Sequence, residues 1–231
     1  EASMLKKEDV KYIEDHLEFW DKLSESERQL CLNNFVVANY KKGANLHGAG
    51  KECQGLILVR RGELRFYILS EEGRDVTLFR ISQGENCILS ASCILSNITF
   101  DLLIDAEQDS EVLLLNVETF DKLARENIYV ENYIYKKSTE RFSEVMWAVE
   151  QILFMSFDKR LAVFLYDETV KTKSNVINYT HEQIAKYVGS AREVVSRMLK
   201  NFEAQGILKL SRGTIEIIDK DKLRAIVLNV S

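Results

Sequence analysis

The stretch THEQIAKYVGSAREVVSRMLKNFE, residues 180–203, predicts two short helices joined by a tight turn. Residues 180–183 and 190–193 both fit the capping box, in which a Ser or Thr hydroxyl accepts from an unpaired helix N–H and a later Glu or Gln bonds back to the backbone. Two helix starts therefore lie ten residues apart. Gly189 lies between them and can adopt the backbone conformation that the corner of a helix-turn-helix needs. The stretch thus predicts a helix-turn-helix unit.

The second helix of this unit has one apolar face and one polar face. Apolar side chains recur at helical spacing and predict a buried stripe formed by Val194, Val195, Met198, Leu199 and Phe202. The polar face consists of Arg192, Glu193, Ser196, Arg197 and Lys200. Arg can bond both acceptors of guanine, Glu can accept from the cytosine amino group, and Ser can bond base or backbone, so this face is suited to the DNA major groove. A solvated face on a helical hairpin is the alternative, but the position of these side chains in the first turns favours base contact.

The residues after the second helix predict a two-stranded wing. Gly206 is suited to end the helix, and the runs ILKL and TIEII are short and rich in β-forming residues. Arg212 lies between them, at the tip of the expected hairpin, where it would meet a DNA phosphate. An ordinary solubilising charge explains Arg212 equally well when this residue is taken alone.

The charge of the 231-residue chain is divided unevenly. The net charge is −5, but residues 156–231 carry 13 Lys and Arg against 9 Asp and Glu, which leaves 18 against 27 for residues 1–155. The helix-turn-helix therefore lies in a part with a charge of +4, while the rest carries −9. This asymmetry indicates two domains, and the positive one can gain affinity for DNA by releasing counterions from the phosphates.

Several features predict a cytoplasmic protein. The chain has no uninterrupted apolar run of membrane-spanning length, and its first 20 residues are charged throughout, unlike a signal peptide. The four cysteines, at positions 31, 53, 87 and 93, are scattered, which fits a reducing compartment better than a disulfide framework. We expect no membrane partner.

The part of the chain before the charge boundary has the pattern of a β-domain. Seven of the ten glycines fall between positions 43 and 84 and separate short runs such as GLILVR, ELRFYIL and DVTLFRI. Further strands are expected at residues 101–104 and 111–115. Short strands punctuated by turn residues predict a β-barrel or sandwich.

A helical segment of about residues 117–155 connects the two parts. Apolar residues at alternating spacings of three and four form a heptad-like seam, which predicts that two copies of the chain pair there. The seam consists of Tyr135, Ser138, Phe142, Val145, Val149 and Ile152. Packing of the helix on its own β-domain is the alternative, because the additional residues Met146, Trp147 and Leu153 widen the stripe enough for both contacts.

The order of a glycine-punctuated β-roll, a long helix and a winged helix-turn-helix resembles the CRP/FNR family of bacterial transcription regulators over nearly the entire chain. The most specific matches are IAKYVGSAREVVSRMLKNFEAQGIL, at residues 184–208, and FDKRLAVFL, at residues 157–165. The resemblance implies an α+β fold with a jelly-roll sensor domain at residues 1–116, a dimerisation helix at residues 117–155 and a DNA-binding domain at residues 156–231. It implies a homodimer, with double-stranded DNA and RNA polymerase as partners.

The resemblance also implies how DNA is read. Members similar to the cyclic-AMP receptor read bases with Arg, Glu and Arg, matched here at positions 192, 193 and 197, whereas FNR-like members use Glu, Ser and Arg, matched at positions 193, 196 and 197. Both patterns imply a palindromic site with TGA-containing half-sites and leave the outer bases open. Thr180 and His181 match family positions that contact backbone phosphates.

The effector of this chain is expected to differ from a cyclic nucleotide. Cyclic-nucleotide-binding members of the family carry a Gly–Glu pair, matched by Gly84 and Glu85, and then an Arg–Ser pair that grips the phosphate. Phe100 and Asp101 stand where the second pair would be, and Lys and Arg are absent from residues 81–121. A buried phosphate without a basic partner lacks charge-assisted hydrogen bonds, so we expect an apolar small molecule or a redox signal in place of cyclic AMP, and the sequence identifies no cofactor.

The expected effector pocket combines the β-roll with the long helix, where positions 145 and 146 are apolar although family members contact the purine there. The pocket residues are Gly84, Glu85, Cys87, Ser90, Cys93, Phe100, Phe142, Val145 and Met146. The C-x5-C spacing of the two cysteines is unlike the short pairs of zinc and iron–sulfur sites, so no metal is expected. The two thiols can act as a redox pair or simply pack as small buried hydrophobic groups, and both alternatives stay open.

Catalytic motifs are missing from the sequence. It contains no phosphate-binding glycine loop, metal-ligand cluster or nucleophile elbow, and its three histidines are dispersed. We therefore expect a regulator and not an enzyme. The alternative is a cyclic-nucleotide-like interaction scaffold, in which the winged helix binds protein and not specific DNA.

Overall fold

The computed structural model describes residues 5–47, 55–71, 73, 75–88 and 102–228. Two units make up the chain, one formed by Glu1–Leu69 with Leu78–Val145 and the other by Ser70–Thr77 with Met146–Ser231. No helix in the described ranges combines the length and the apolar character needed to cross a bilayer.

The β-rich part of the chain contains eight strands among its described residues. They are β1 (Phe35–Tyr40), β2 (Asn45–His47), β3 (Leu56–Arg61), β4 (Glu63–Leu69), β5 (Asp75–Ser82), β6 (Asn86–Cys87), β7 (Leu103–Ala106) and β8 (Ser110–Leu115). They form two four-stranded sheets with the orders β1-β8-β3-β6 and β2-β7-β4-β5. The three glycine-separated runs predicted as strands form β3, β4 and β5, which confirms the β-roll.

Strand β3 is buried on both faces, which explains its uninterrupted apolar run. Leu56 and Leu58 pack into a core shared with helices, whereas Ile57 and Val59 pack into the core between the sheets. Side chains alternate along a strand, so both sets can be buried only if both faces of the sheet are covered. Before the strand, Gly55 has a φ of +80°, and a Cβ there would lie 2.0 Å from the carbonyl oxygen of Leu115, so the turn requires glycine.

In the described part of the chain, five helical segments accompany the sheets: α1 (Lys7–His16), a 3₁₀ turn (Trp20–Lys22), α2 (Glu25–Asn34), α3 (Val117–Glu126) and α4 (Ile128–Phe154). The segment predicted as one helix over residues 117–155 is thus divided at Asn127. The Asn127 side chain accepts from the backbone N–H of Tyr129 at 3.0 Å and donates to Glu27 at 3.1 Å. It therefore starts α4 and fixes the break, because an Asn at such a position replaces helical backbone bonds with side-chain bonds.

The second unit is a winged helix-turn-helix. Its elements after α4 are α5 (Phe157–Thr172), β9 (Val176–Ile177), α6 (His181–Val188), α7 (Arg192–Ala204), β10 (Leu208–Ser211), β11 (Thr214–Ile217) and α8 (Lys220–Leu228). The three strands pair in the order β10-β11-β9. A single hydrophobic core joins these helices and strands. Leu165 of α5, Ile184 of α6 and Leu199 of α7 are fully buried in it. The predicted fold class is confirmed.

Candidate nucleic-acid interface and sensor interior

The two predicted capping boxes have different outcomes. At the start of α6 the Thr180 hydroxyl accepts from the N–H of Gln183 at 3.2 Å, and the Gln183 side chain accepts from the N–H of Thr180 at 2.9 Å, so this box is confirmed. The box predicted at residues 190–193 is wrong, because Ala191 is the N-cap of α7 and makes no side-chain cap bond.

The turn between the helices explains this shift. Gly189 adopts a φ of +61° at the end of α6, and the N–H of Ser190 donates to the carbonyl of Ala185 at 2.9 Å. Ser190 therefore closes the first helix and does not open the second. As a result, Glu193 takes no part in capping and its side chain is exposed.

The polar face predicted on α7 points outward. Arg192, Glu193, Arg197 and Lys200 are exposed and Ser196 is half-buried, while Val195, Leu199 and Phe202 on the other face belong to the core. Within the described residues, the structure contains no ion pair that involves these four charged side chains. The helix therefore presents charges that are available to a partner.

His181 lies close enough to α7 to be influenced by its charges. Partial burial, and then the positive charges of Arg192 and Lys200, lower the pKa of His181 from its ordinary value of 6.5. The imidazole is therefore neutral at physiological pH. His181, at the start of α6, is thus within electrostatic range of Arg192 at the start of α7 and of Lys200 farther along that helix, and the neighbouring Thr180 is exposed.

The wing presents Arg212 at its tip. Strands β10 and β11 pair with Ser211 opposite Thr214, which leaves Arg212 and Gly213 as the two turn residues. Gly213 has a φ of +73°, as a tight hairpin turn requires, and Arg212 is exposed. Glu203 of α7 accepts from the N–H of Leu210 at 2.8 Å and so ties the wing to the second helix of the helix-turn-helix.

Helix α4 exposes an apolar stripe that differs in register from the predicted seam. Tyr135, Phe142, Met146 and Leu153 are exposed and follow one another at spacings of 7, 4 and 7, with Val149 half-buried between the last two. This spacing is that of a heptad seam. We call these five residues the α4 stripe.

The other residues predicted in the seam have different surroundings. Val145 packs against the core between the sheets, and the Ser138 hydroxyl is buried and has no hydrogen-bond partner among the described residues. Ile152 packs near the corner of the helix-turn-helix, where its Cδ1 lies 3.4 Å from the position of a Cβ at Gly189. At the end of α4, Arg160 donates to the carbonyls of Ile152 and Met155 at 3.2 and 3.1 Å and thus caps the helix.

Of the residues predicted to line the effector pocket, the structure brings Cys87 and Val145 to one core and places other described members at the surface. Gly84 and Glu85 form the turn before β6, where the exposed Glu85 carboxylate accepts from the N–H of Ser82 at 2.7 Å. Cys87 is buried in the core between the sheets, with Val145 packed against that core. Phe142 and Met146 are exposed on the α4 stripe. The predicted pocket residues Ser90, Cys93 and Phe100 lie outside the described residues.

Arg141, which the sequence patterns above do not single out, is buried on α4. Its Nη2 donates to the carbonyl of Asn86 at 2.9 Å, and its Cζ lies 5.0 Å from the centroid of the Phe79 ring. The signal in the sequence is its spacing, because position 141 is three residues after Ser138 and four before Val145, on the face of α4 that turns inward. In the described ranges, no group of three His, Cys, Asp or Glu side chains could hold a metal ion.

The fold and the charged helix define the chain as a DNA-binding regulator with a sensor domain. Residues 159–226 match the Crp-like helix-turn-helix domain, and residues 37–127 match the cyclic nucleotide-binding domain. The crystal structure of a regulator assigned to the Crp/Fnr family, from Eubacterium rectale, superposes with a TM-score of 0.89 and is 40% identical, covering 93% of this chain and 100% of that one. The protein belongs to the Crp/Fnr family of transcription regulators and is not an enzyme.

Two characterised relatives are more distant. The Cyclic AMP receptor protein of Thermus thermophilus is 24% identical over 209 residues, which are 90% of this chain and 96% of the relative. The Fumarate and nitrate reduction regulatory protein of Yersinia pestis is 25% identical over 200 residues, which are 82% of this chain and 77% of the relative. The chain is thus similar both to a regulator named for the binding of cyclic AMP and to one named for the reduction of fumarate and nitrate.

Proposed function

We propose that the protein is a homodimer that binds a palindromic DNA site, with one α7 helix in the major groove of each TGA-containing half-site. The observation that carries this proposal is the outward face of α7, where Arg192, Glu193, Arg197 and Lys200 are exposed and form no ion pairs in the described structure. Arg197 and Arg192 can donate to guanine, Glu193 can accept from cytosine, and Ser196 can bond either a base or the backbone.

The phosphate contacts surround this face. Lys200 on this face and Thr180 and His181 at the start of α6 can contact phosphates, since His181 is within electrostatic range of Lys200, and Arg212 on the wing can reach the backbone farther along the groove. A neutral His181 can take up a proton when it approaches phosphate. The positive charge of this part of the chain then supplies the affinity that does not depend on sequence.

The α4 stripe supports the homodimer. An exposed row of apolar side chains at heptad spacing is stabilised when it pairs with an identical row, since large apolar surfaces are seldom left in water. Pairing of two α4 helices gives the two-fold symmetry that a palindromic site requires. The two α7 helices must then lie about 34 Å apart, one turn of DNA, to enter successive major grooves.

The effector in this proposal is not cyclic AMP. One relative is named a cyclic AMP receptor, but this chain has no Lys or Arg over residues 81–121, and Glu85 is engaged with Ser82 at an exposed turn. We expect calorimetry to give no isotherm for cyclic AMP at micromolar concentration. A stoichiometric isotherm would contradict this part of the proposal.

The place of action follows from the partners. A DNA-bound dimer of this kind would recruit or obstruct RNA polymerase, and we propose that it acts in the cytoplasm, where bacterial DNA and polymerase are found. The binding of a signal would change the angle between α4 and α5, close to Met155 and Ser156, and so change the spacing of the two α7 helices.

Selection of bound sequences from random duplex DNA tests the function directly. We expect a palindrome with TGA in each half-site, and binding that weakens steeply as salt is raised. Enrichment of no sequence, together with the salt-insensitive capture of a protein partner, would instead support an interaction scaffold. Repeating the selection with small-molecule extracts of the source cells would show whether an effector is needed.

A further inference from the structure

A cleft separates the start of helix α4 from the segment of residues 18–22, which ends in the 3₁₀ turn. Its volume is about 210 Å³. One wall is formed by Glu18, Phe19 and Lys22. The other wall is one face of the first turns of α4, since its residues recur at helical spacing. They are Tyr129, Asn132, Tyr133 and Lys136. We call this site the α4 cleft.

Two contacts join the walls, one at each end of the cleft. Lys136 donates to Glu18 at 2.5 Å at one end, and the Asn127 side chain donates to the backbone carbonyl of Lys22 at 3.3 Å at the other. Between them, the buried rings of Phe19 and Tyr133 meet edge to face with centroids 4.9 Å apart. The cleft is therefore formed before any ligand arrives, which lowers the entropy that binding costs.

Tyr129 and Lys22 are exposed at the mouth of the cleft. The Tyr129 side chain is 54% exposed, and the Nζ of Lys22 lies 5.9 Å from the centroid of its ring, near the outer limit of a cation–π contact at about 6 Å. Among the residues that the structure describes, Lys22 has no carboxylate partner, whereas Lys136 is paired with Glu18. Lys22 can therefore donate to an acid that enters the cleft.

The cleft is locally positive in an acidic part of the chain. Two lysines and one glutamate line it, which gives a charge of +1, although residues 1–155 carry −9. The hydrogen bond from Lys136 lowers the pKa of Glu18, so this carboxylate is ionised and already engaged. Charges more than about 8 Å away are largely screened at physiological ionic strength. The cleft thus favours a carboxylate at short range.

The size of the cleft indicates what kind of ligand it suits. Sites that enclose a small molecule usually measure about 300–1,000 Å³, and the α4 cleft is smaller, with exposed side chains at its mouth. A shallow pocket that takes one aromatic side chain, surrounded by polar groups, is typical of the centre of a protein–protein contact. The volume therefore suits the anchor residue of a protein partner.

We propose that the α4 cleft binds an acidic segment of a partner protein through one aromatic anchor residue. The ring of the anchor lies against Tyr129, and a carboxylate next to it in the segment accepts from Lys22. Asn132 can both donate to and accept from the backbone of the segment. Tyr129 lies six residues before Tyr135 of the α4 stripe, about 120° around the helix, so the cleft and the stripe can be occupied together.

Titration calorimetry of the full chain with a synthetic peptide tests this proposal. The peptide has one tryptophan flanked by two glutamates on each side and has blocked ends. We expect saturable binding with a dissociation constant on the order of 10–100 μM, weakened by added salt, because the contact is small and partly ionic. A peptide with glutamine for each glutamate should bind several-fold more weakly, and one with alanine for tryptophan should bind at least about tenfold more weakly.

Variants of the protein locate the binding in the cleft. Tyr129→Ala should weaken the peptide by about tenfold, and Lys22→Gln by about 2–5-fold, with recovery in Lys22→Arg because the charge is kept. Lys42→Gln removes an exposed lysine that does not line the cleft and should bind as the wild type does. Asn132→Trp should fill the cleft and abolish binding, which keeps the test decisive if Tyr129→Ala loses helix by circular dichroism.

Several outcomes would overturn the proposal. These are equal binding of the glutamate and glutamine peptides, full binding by a folded Asn132→Trp, equal losses in Lys22→Gln and Lys22→Arg, and no saturable binding at millimolar peptide. Equal affinity for N-acetyltryptophan and the peptide would instead assign the cleft to a small aromatic anion. Conversion of a dimer to monomers by Tyr129→Ala, seen by sedimentation, would assign it to a second copy of the chain. None of these measurements involves DNA, so they are independent of the proposed regulator function.

Discussion

Helices α7 and α4 each bury one face, but their exposed faces differ in chemistry. The outward face of α7 carries Arg192, Glu193, Arg197 and Lys200, whereas the outward face of α4 carries the apolar α4 stripe. A charged face without internal ion pairs suits a polyanion, because the release of counterions drives that association. An apolar face at heptad spacing suits a second apolar helix. The exposed face of each helix, and not the buried one, therefore indicates the kind of partner that the helix binds.

The largest expected effect comes from placing charge on the α4 stripe. Phe142→Glu should bring like charges together in the paired helices and yield monomers, with a loss of affinity for the palindrome of about 100-fold or more, because the gain from two linked half-sites disappears. Sedimentation velocity and fluorescence anisotropy measure the two effects. Val170→Glu is the control, since Val170 on α5 is 60% exposed and Phe142 is 65% exposed. If Phe142→Glu still forms a dimer, the dimer interface does not lie on the α4 stripe.

A smaller effect is expected on α7 itself. Arg197→Ala should cost about 1–3 kcal/mol on the selected site and relax the preference at one guanine. Arg212→Ala on the wing should weaken all sequences alike and lower the slope of the salt dependence by about 1, because it removes a phosphate contact. Anisotropy with specific and random duplexes gives both numbers. Equal losses on the two duplexes for Arg197→Ala would remove its role in reading a base.

The two helix starts make a matched pair for stability. Thr180→Ala should lower the free energy of unfolding by about 0.5–2 kcal/mol, since it removes the hydroxyl that caps α6. Ser190→Ala should change it by less than about 0.5 kcal/mol, because α7 is capped at Ala191 without a side-chain bond. Denaturant unfolding decides between the two sites, and equal costs would show that both capping boxes form in solution.

The smallest expected effect is a dependence of DNA affinity on pH. The pKa of His181 in the free protein is lowered, and a neighbouring phosphate would raise it, so the complex takes up a proton and affinity should rise as pH falls. Each pKa unit of difference is worth up to about tenfold in affinity. Anisotropy between about pH 5 and 8 should show this gain, and His181→Gln should lack it.

The stability of the free protein responds to this histidine with the opposite sign. A histidine whose folded pKa is lowered below 6.5 binds its proton more readily in the unfolded chain, so its contribution to stability is present above that pH and is lost as pH falls through it. Thermal unfolding without DNA should therefore show that His181→Gln loses less stability than the wild type as the pH is lowered. An equal loss of stability in both proteins would mean that other groups govern the pH dependence in this range.

The winged helix-turn-helix could be predicted almost completely from the sequence, because its signals are local. Helical spacing correctly predicted that Val195, Leu199 and Phe202 lie in the core. Glycines correctly predicted the corner of the helix-turn-helix and the end of its second helix. The one error concerns Ser190. A Ser followed by a Glu three residues later fits the capping-box pattern, but the box forms only if the Ser is the N-cap of the second helix and does not belong to the end of the first. Only the three-dimensional path of the turn decides this, through the bond from Ser190 to Ala185.

The sensor domain was harder to predict because its polar contacts join residues that are distant in sequence. Arg141 meets Asn86 across 55 positions, and no local pattern announces such a pair. Part of the predicted seam on α4 lies on the inner side of the helix for a similar reason, and the pairing of two copies stays a prediction. Ser138 and Val145 fit heptad spacing as well as Met146 and Leu153 do, and only the packing of the sheets selects between the two registers.

Neighbouring positions on α4 face two different environments. Arg141 points into the sensor domain, and the next residue, Phe142, lies on the outer stripe, about 100° further around the helix. The distance that a signal must travel from inside the domain to the outer surface is therefore a single peptide unit. No chain of relaying side chains is required. A rotation of α4 that moves Arg141 also moves Phe142, because both residues belong to the same rigid helical turn.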